Sequence, residues 1–194
     1  MASDGTAPVK TLRGLLLEPD VDGAMRLRGV LQAAFPAIET RVAHNADQAR
    51  KLLADLSPDV AVVDSAFGGI VAEVAQRAPQ CCLIVCAGHI SDDRIFAALK
   101  AGATGYVLKH DSASGLAEEI RAIREGARPM SAGMARKILQ HFSESLGDGL
   151  NPGELRVLEG IASGATQHAL TSRLGIAIGD RIRTIYGKLA RKAP

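Results

Sequence analysis

Five residues stand where apolar runs end, and their types suit phosphoryl chemistry on a carboxylate. Glu18 and Asp20 follow the run Leu12–Leu17, and Asp64 closes Asp59-Val-Ala-Val-Val-Asp64. Cys86 closes the run that opens at Cys82, and Lys109 follows Gly105–Leu108. A positioned carboxylate is a nucleophile toward a phosphoryl group. Carboxylates from two different strands can hold Mg²⁺, which prefers oxygen ligands and keeps several waters. A lysine from a third strand would neutralise the phosphoryl charge. Taken singly, a strand-end Asp is more often a cap and a strand-end Lys is usually solvated. Their order along the chain carries the signal.

The elements that would position these residues read as alternating strands and helices. Strands are expected at 12–17, 38–43, 59–64, 82–86 and 105–108, and helices at 21–35, 47–56, 91–101 and 112–125. Five βα units predict an α/β fold, an open five-stranded parallel sheet covered on both faces. Ligand chemistry in such sheets collects outside the C-terminal strand ends, which is where the five residues fall. Beyond Pro129 the period changes. A linker helix is expected at 131–142 and a hinge at 143–149. Three short helices follow, at 152–162, 166–173 and 180–191, forming a small all-α unit.

Composition excludes other classes. The 194 residues are 47% hydrophobic and 23% charged, with 3% aromatic and no Trp, so the core must be aliphatic. No apolar run approaches the roughly 18 residues that a membrane-spanning helix needs. The first residues, MASDGTAPVK, lack the basic and apolar regions of a secretory signal. Three cysteines, two of them adjacent (Cys81, Cys82), make no disulfide framework, so a reducing cytoplasm is expected. No Gly-rich phosphate loop follows the first strand, and no Ser/His/Asp or Cys/His set converges, so an enzyme is not expected. The net charge of +2 is uneven: from 146 to 194 there are seven bases against four acids, and the last fourteen residues hold five bases and no acid. A polyanion bound at that end would leave such a footprint, and so would a solvated basic helix.

The segments LRGLLLEPD, DVAVVDS, CLIVCAGH and ALKAGATGYVLK resemble the receiver domain of two-component response regulators across about residues 12–127. The resemblance implies a flavodoxin-like receiver in which Asp64 is the phosphoacceptor, Glu18 a metal-site acid and Lys109 the phosphate-binding lysine. It implies Mg²⁺ as cofactor, and it places Tyr106 at the aromatic position that serves the family as a rotamer switch. Two positions depart from the pattern. Pro19 replaces the second of two adjacent acids, leaving Asp20 as the substitute metal ligand. Cys86 stands where a Thr or Ser hydroxyl binds a phosphoryl oxygen, and a thiol is a weaker donor.

The tail LNPGELRVLEGIASGATQHALTSRLGI resembles the LuxR-type helix-turn-helix of NarL/FixJ regulators. The implied organisation is a disordered N-terminus at 1–11, a receiver at 12–127, a linker helix and hinge at 128–149, and a helix-turn-helix at 150–194. Between Gly175 and the Lys188-Leu189 pair the chain is about three residues shorter than the family pattern, which removes about 4.5 Å of helix. Arg181, Arg183, Lys188 and Arg191 remain for DNA, suited to phosphate contacts that position without specifying sequence. The expected function is a cytoplasmic transcriptional regulator, phosphorylated by a histidine kinase or phosphotransfer protein, dimeric and DNA-binding. The alternative is a pseudo-receiver or interaction protein of the same fold that has lost specific DNA binding.

Overall fold

A computed structural model of the chain describes residues 11–88, 92–109, 111–143 and 149–191. All but the last residue of the expected disordered N-terminus, and most of the expected hinge, lie outside these residues.

Five strands, β1 (Leu12–Leu17), β2 (Ile38–Ala43), β3 (Val60–Asp64), β4 (Cys82–Ala87) and β5 (Gly105–Leu108), form one sheet in the order β2-β1-β3-β4-β5. All four pairings are parallel. The central strands β3 and β4 are buried at every position, as their β-branched and aliphatic runs require. Helices α1 (Val21–Ala34) and α5 (Ala113–Glu125) cover one face, while α2 (Ala46–Asp55), α3 (Gly68–Arg77) and α4 (Asp92–Lys100) cover the other.

Helix ends follow local capping chemistry. Asp20, Asn45 and Ser112 cap α1, α2 and α5 by accepting backbone N–H bonds. Gly126, at φ +111°, closes α5 in the left-handed conformation that favours glycine. Helix α2 therefore runs one residue earlier than the 47–56 expected, and Phe35 is the C-cap of α1 rather than its last residue. Helix α3 had no segment of its own in the sequence reading. Its first turn carries Gly68 and Gly69, which weaken the helical pattern.

Four further helices follow: α6 (Ala132–Ser143), α7 (Pro152–Ala162), α8 (Gln167–Leu174) and α9 (Ile178–Arg191). Asn151 and Glu154 form a capping box around Pro152, which opens α7. The turn between α8 and α9 begins at Gly175, in the left-handed region at φ +63°. Helix α9 begins two residues before the expected Asp180.

The core under α2, α3 and α4 does not stop at the end of the sheet layer. Ile95 and Leu99 of α4 are continuous with Met134 and Ile138 of α6, and with Ile182, Ile185 and Leu189 of α9. Helix α6, expected as a linker, is therefore packed on both sides. Ser131 donates to Asp92, and Lys137 pairs with Asp93, at the start of α4.

Candidate functional site

The parallel register carries β1, β3, β4 and β5 to a common C-terminal edge, and four side chains meet there. Lys109 Nζ lies 2.6 Å from Glu18 Oε2 and 2.6 Å from Asp64 Oδ2, bridging the carboxylates that follow β1 and end β3. Glu18 is 1% exposed and Asp64 8%. Two carboxylates this buried need a cation between them. Burial opposes the charge on Lys109, but the hydrogen bonds it donates to Asp64 and Glu18, with the charges of those carboxylates, outweigh it and raise the ammonium pKa. The other Asp64 oxygen, Oδ1, accepts the Ala66 N–H at 2.7 Å. One carboxylate oxygen is thus fixed by backbone while the other faces the cation.

Asp20 is occupied differently from the metal ligand expected of it. Its Oδ2 accepts the Gly23 N–H at 2.6 Å, and its own N–H reaches Glu18 Oε1 at 3.4 Å. As the N-cap of α1 it gives its carboxylate to the helix end. Cys86 pairs with Asp64 in the β3–β4 register and is fully buried. Burial pushes its thiol up to about 12, with Lys109 opposing and the two carboxylates adding to the rise. A neutral, buried thiol stands beside the acid where a hydroxyl would give a stronger donor. Tyr106 lies one strand further out, half-buried opposite Val85, its phenol raised by burial first and by Asp92 and Glu119 after it.

Arg26 is a positioning residue that sequence reading missed. From α1 it donates to the carbonyls of Lys109 and Asp111, tying down the loop that carries the lysine. No local pattern marks it, because its acceptors lie more than eighty residues away.

Among the described residues no cluster of three or more acid, His or Cys side chains could hold a metal. Glu18 and Asp64 supply two hard oxygen donors on one side of a site. That is compatible with Mg²⁺, which commonly takes one or two carboxylates, waters and phosphate oxygens.

At the other end of the chain, α9 buries Ile178, Ile182, Ile185, Tyr186 and Leu189. Its solvent stripe is Asp180, Arg183, Thr184, Gly187 and Arg191. Arg183 and Arg191 thus share an exposed side, although Asp180 pairs with Arg183 at 3.1 Å and Gly126 O accepts from it at 3.4 Å. Arg181 and Lys188 lie half-buried on the flank. Lys188 is committed elsewhere: its Nζ is 2.7 Å from Glu154 Oε2, a carboxylate with no exposure. The Tyr186 hydroxyl, also missed from sequence, donates to Pro129 O between α5 and α6.

No protein-family model matches the chain. It is 30% identical over 180 residues to the transcriptional regulatory protein LiaR of Bacillus subtilis, covering 86% of this chain and 84% of LiaR. Solved structures share the fold. A LuxR-family two-component response regulator from Aurantimonas sp. superposes with a TM-score of 0.57 at 24% identity, over 68% of this chain and 98% of that one. The RcsB response regulator of Salmonella typhimurium gives 0.56 at 15% identity, over 93% of each chain. Strand order, the acid–lysine edge and the similarity to LiaR along nearly the whole length agree: the chain belongs to the response regulators of the LuxR/NarL type.

Proposed function

We propose that the chain is a transcriptional response regulator that accepts a phosphoryl group on Asp64 from a histidine kinase or phosphotransfer protein and acts through DNA contacts of its last three helices. The observation that carries this reading is Lys109 spanning Asp64 and Glu18 at 2.6 Å each. Ala66 N–H holds Oδ1, so Oδ2 is the oxygen placed to attack phosphorus, with the donor's phosphoramidate or acyl phosphate bond breaking as the new bond forms. Lys109 then pairs with a phosphoryl oxygen, and Arg26 keeps its loop in place. Glu18 and Asp64 would hold Mg²⁺, which would supply further neutralisation of phosphoryl charge. Cys86 contributes little hydrogen bonding, so slow labelling is expected.

Two observations favour a second reading, a receiver that signals without phosphate. Asp20 is spent on capping α1, and Cys86 is a buried neutral thiol. Incubation with acetyl phosphate and Mg²⁺, followed by mass spectrometry, separates the two. A mass gain of one phosphoryl group that vanishes in Asp64→Asn supports the first reading, and no gain supports the second. No described helix is long and apolar enough to cross a membrane.

A further inference from the structure

A second cleft lies at the opposite end of the sheet from Asp64. It holds about 310 Å³ and opens where β3, β4 and β5 begin, lined by Asp59, Gln80, Cys82, Thr104, Arg124 and Arg128 among others. Ligand sites of such sheets normally collect at the other edge, so the cleft is separate from the candidate phosphorylation site.

Its charge is unbalanced. The one acid on the wall, Asp59, accepts from the Arg13 backbone at 2.9 Å and from its guanidinium at 3.3 Å. Arg124 and Arg128 have no carboxylate partner among the described residues. The Arg124 guanidinium carbon lies over the Phe35 ring, 5.7 Å from its centre, and Arg124 makes no hydrogen bond to another described residue. Arg128 spends only Nη1, on the carbonyls of Ile123 and Ala127 at the end of α5. Its Nε and Nη2 are unspent. Burial, with a smaller push from Arg183, holds the Arg128 guanidinium below its ordinary pKa, against opposing pulls from Cys82 and Tyr186. Both arginines line this one cleft together with the Cys82 thiol.

We propose that this cleft is a binding site for a small phosphorylated anion, held by the guanidinium groups of Arg124 and Arg128. Planar guanidinium donors match phosphate oxygens, and a concave space of this size suits a small molecule better than a duplex. The segment that carries Arg128 also touches the last helices. Arg128 O accepts from Gln167 of α8 at 3.4 Å, and the adjacent Pro129 O accepts from Tyr186 of α9.

The chain has two tyrosines and no Trp, so tyrosine fluorescence reports on Tyr106 and Tyr186. Inorganic pyrophosphate is titrated into the full chain at constant ionic strength, without Mg²⁺. A saturable change is expected, with the apparent Kd raised about tenfold or more in Arg124→Gln and in Arg128→Gln, as loss of a charge-assisted contact predicts. Because Arg128 also caps α5, the exposed Arg124 variant decides if Arg128→Gln unfolds. Asp64→Asn should bind as the native chain does, so this site and the phosphoacceptor reading fail independently. A response that matches that of chloride, or equal affinity in Arg124→Gln, overturns the site. So does a mixed-sequence DNA duplex that loses affinity in Arg124→Gln while pyrophosphate fails to saturate, since the arginines would then be a DNA-backbone contact.

Discussion

Glu154 and Lys188 sit 34 residues apart in sequence and 2.7 Å apart in space, with the carboxylate fully buried. The pair ties the first turn of α7 to the last turn of α9. Glu154 Oε2 also accepts the Asn151 N–H in the capping box, so one oxygen serves both the helix start and the ion pair.

That geometry makes Lys188 a stabilising residue. Removing one member of a buried pair leaves an uncompensated charge, at a cost of about 3–5 kcal/mol. A quarter of the Lys188 side chain is exposed, so Lys188→Met should fall near the low end, about 3 kcal/mol. Adding Glu154→Gln, which keeps the capping bond without the charge, should recover part of the loss. Urea denaturation of the single and double variants measures both. A single variant as stable as the native chain would mean the pair contributes nothing.

Much of the candidate site was legible because strand ends are legible. The apolar runs before Glu18, Asp64 and Lys109 are short and bounded by polar residues, and β1, β2 and β5 have the limits their runs suggest. Parallel pairing then brings those ends together without further information. What stayed hidden was competition and distance. Asp20 can ligate a metal or cap a helix, and only the three-dimensional position of Gly23 N–H decides between them. Arg26 and the partner of Lys188 depend on contacts between segments far apart in sequence, which no periodicity encodes. The start of α9 was placed late because Ile178 and Gly179 carry no capping signal.

Phosphorylation should be limited by the two departures at the edge. Pro19→Asp offers a carboxylate beside Glu18 that is not bound to the α1 cap, and Cys86→Thr puts a hydroxyl next to Asp64. Each strengthened charge or hydrogen bond acts on the phosphoryl group in the transition state. The double variant should label with acetyl phosphate about tenfold faster or more, equivalent to about 1.4 kcal/mol. Equal rates in the native and double-variant chains would show that the barrier lies elsewhere.

All three thiols should be inert in the folded chain. Cys81, Cys82 and Cys86 are buried, and burial raises each thiol, to about 12 for Cys81 and Cys86. The thiolate is the nucleophile, so few react while the fold holds. Iodoacetamide at pH 8.5 should leave the native chain unmodified and add three groups after denaturation in urea. Rapid native labelling of Cys86 would show that the acid edge opens readily.

DNA binding should depend on the stripe of α9 that faces solvent. Arg183 and Arg191 lie eight residues apart on that stripe, whereas Lys188 points toward Glu154. A lysine or arginine on a phosphate releases counterions, so the slope of log K against log salt counts such contacts at about 0.9 each for duplex DNA. Arg183→Ala and Arg191→Ala should each flatten the slope by about one contact and weaken all sequences alike. Lys188→Met should leave the slope unchanged in the fraction that remains folded. The Asp180 and Gly126 contacts of Arg183 must be given up to reach DNA, so Asp180→Ala should strengthen binding while leaving the slope nearly constant. Fluorescence anisotropy with a labelled mixed-sequence duplex from about 50 to 200 mM salt, over which such binding weakens steeply, reads all four variants. A slope that drops in Lys188→Met but not in Arg183→Ala would place the DNA on the flank of α9 that carries Lys188, and would overturn the stripe.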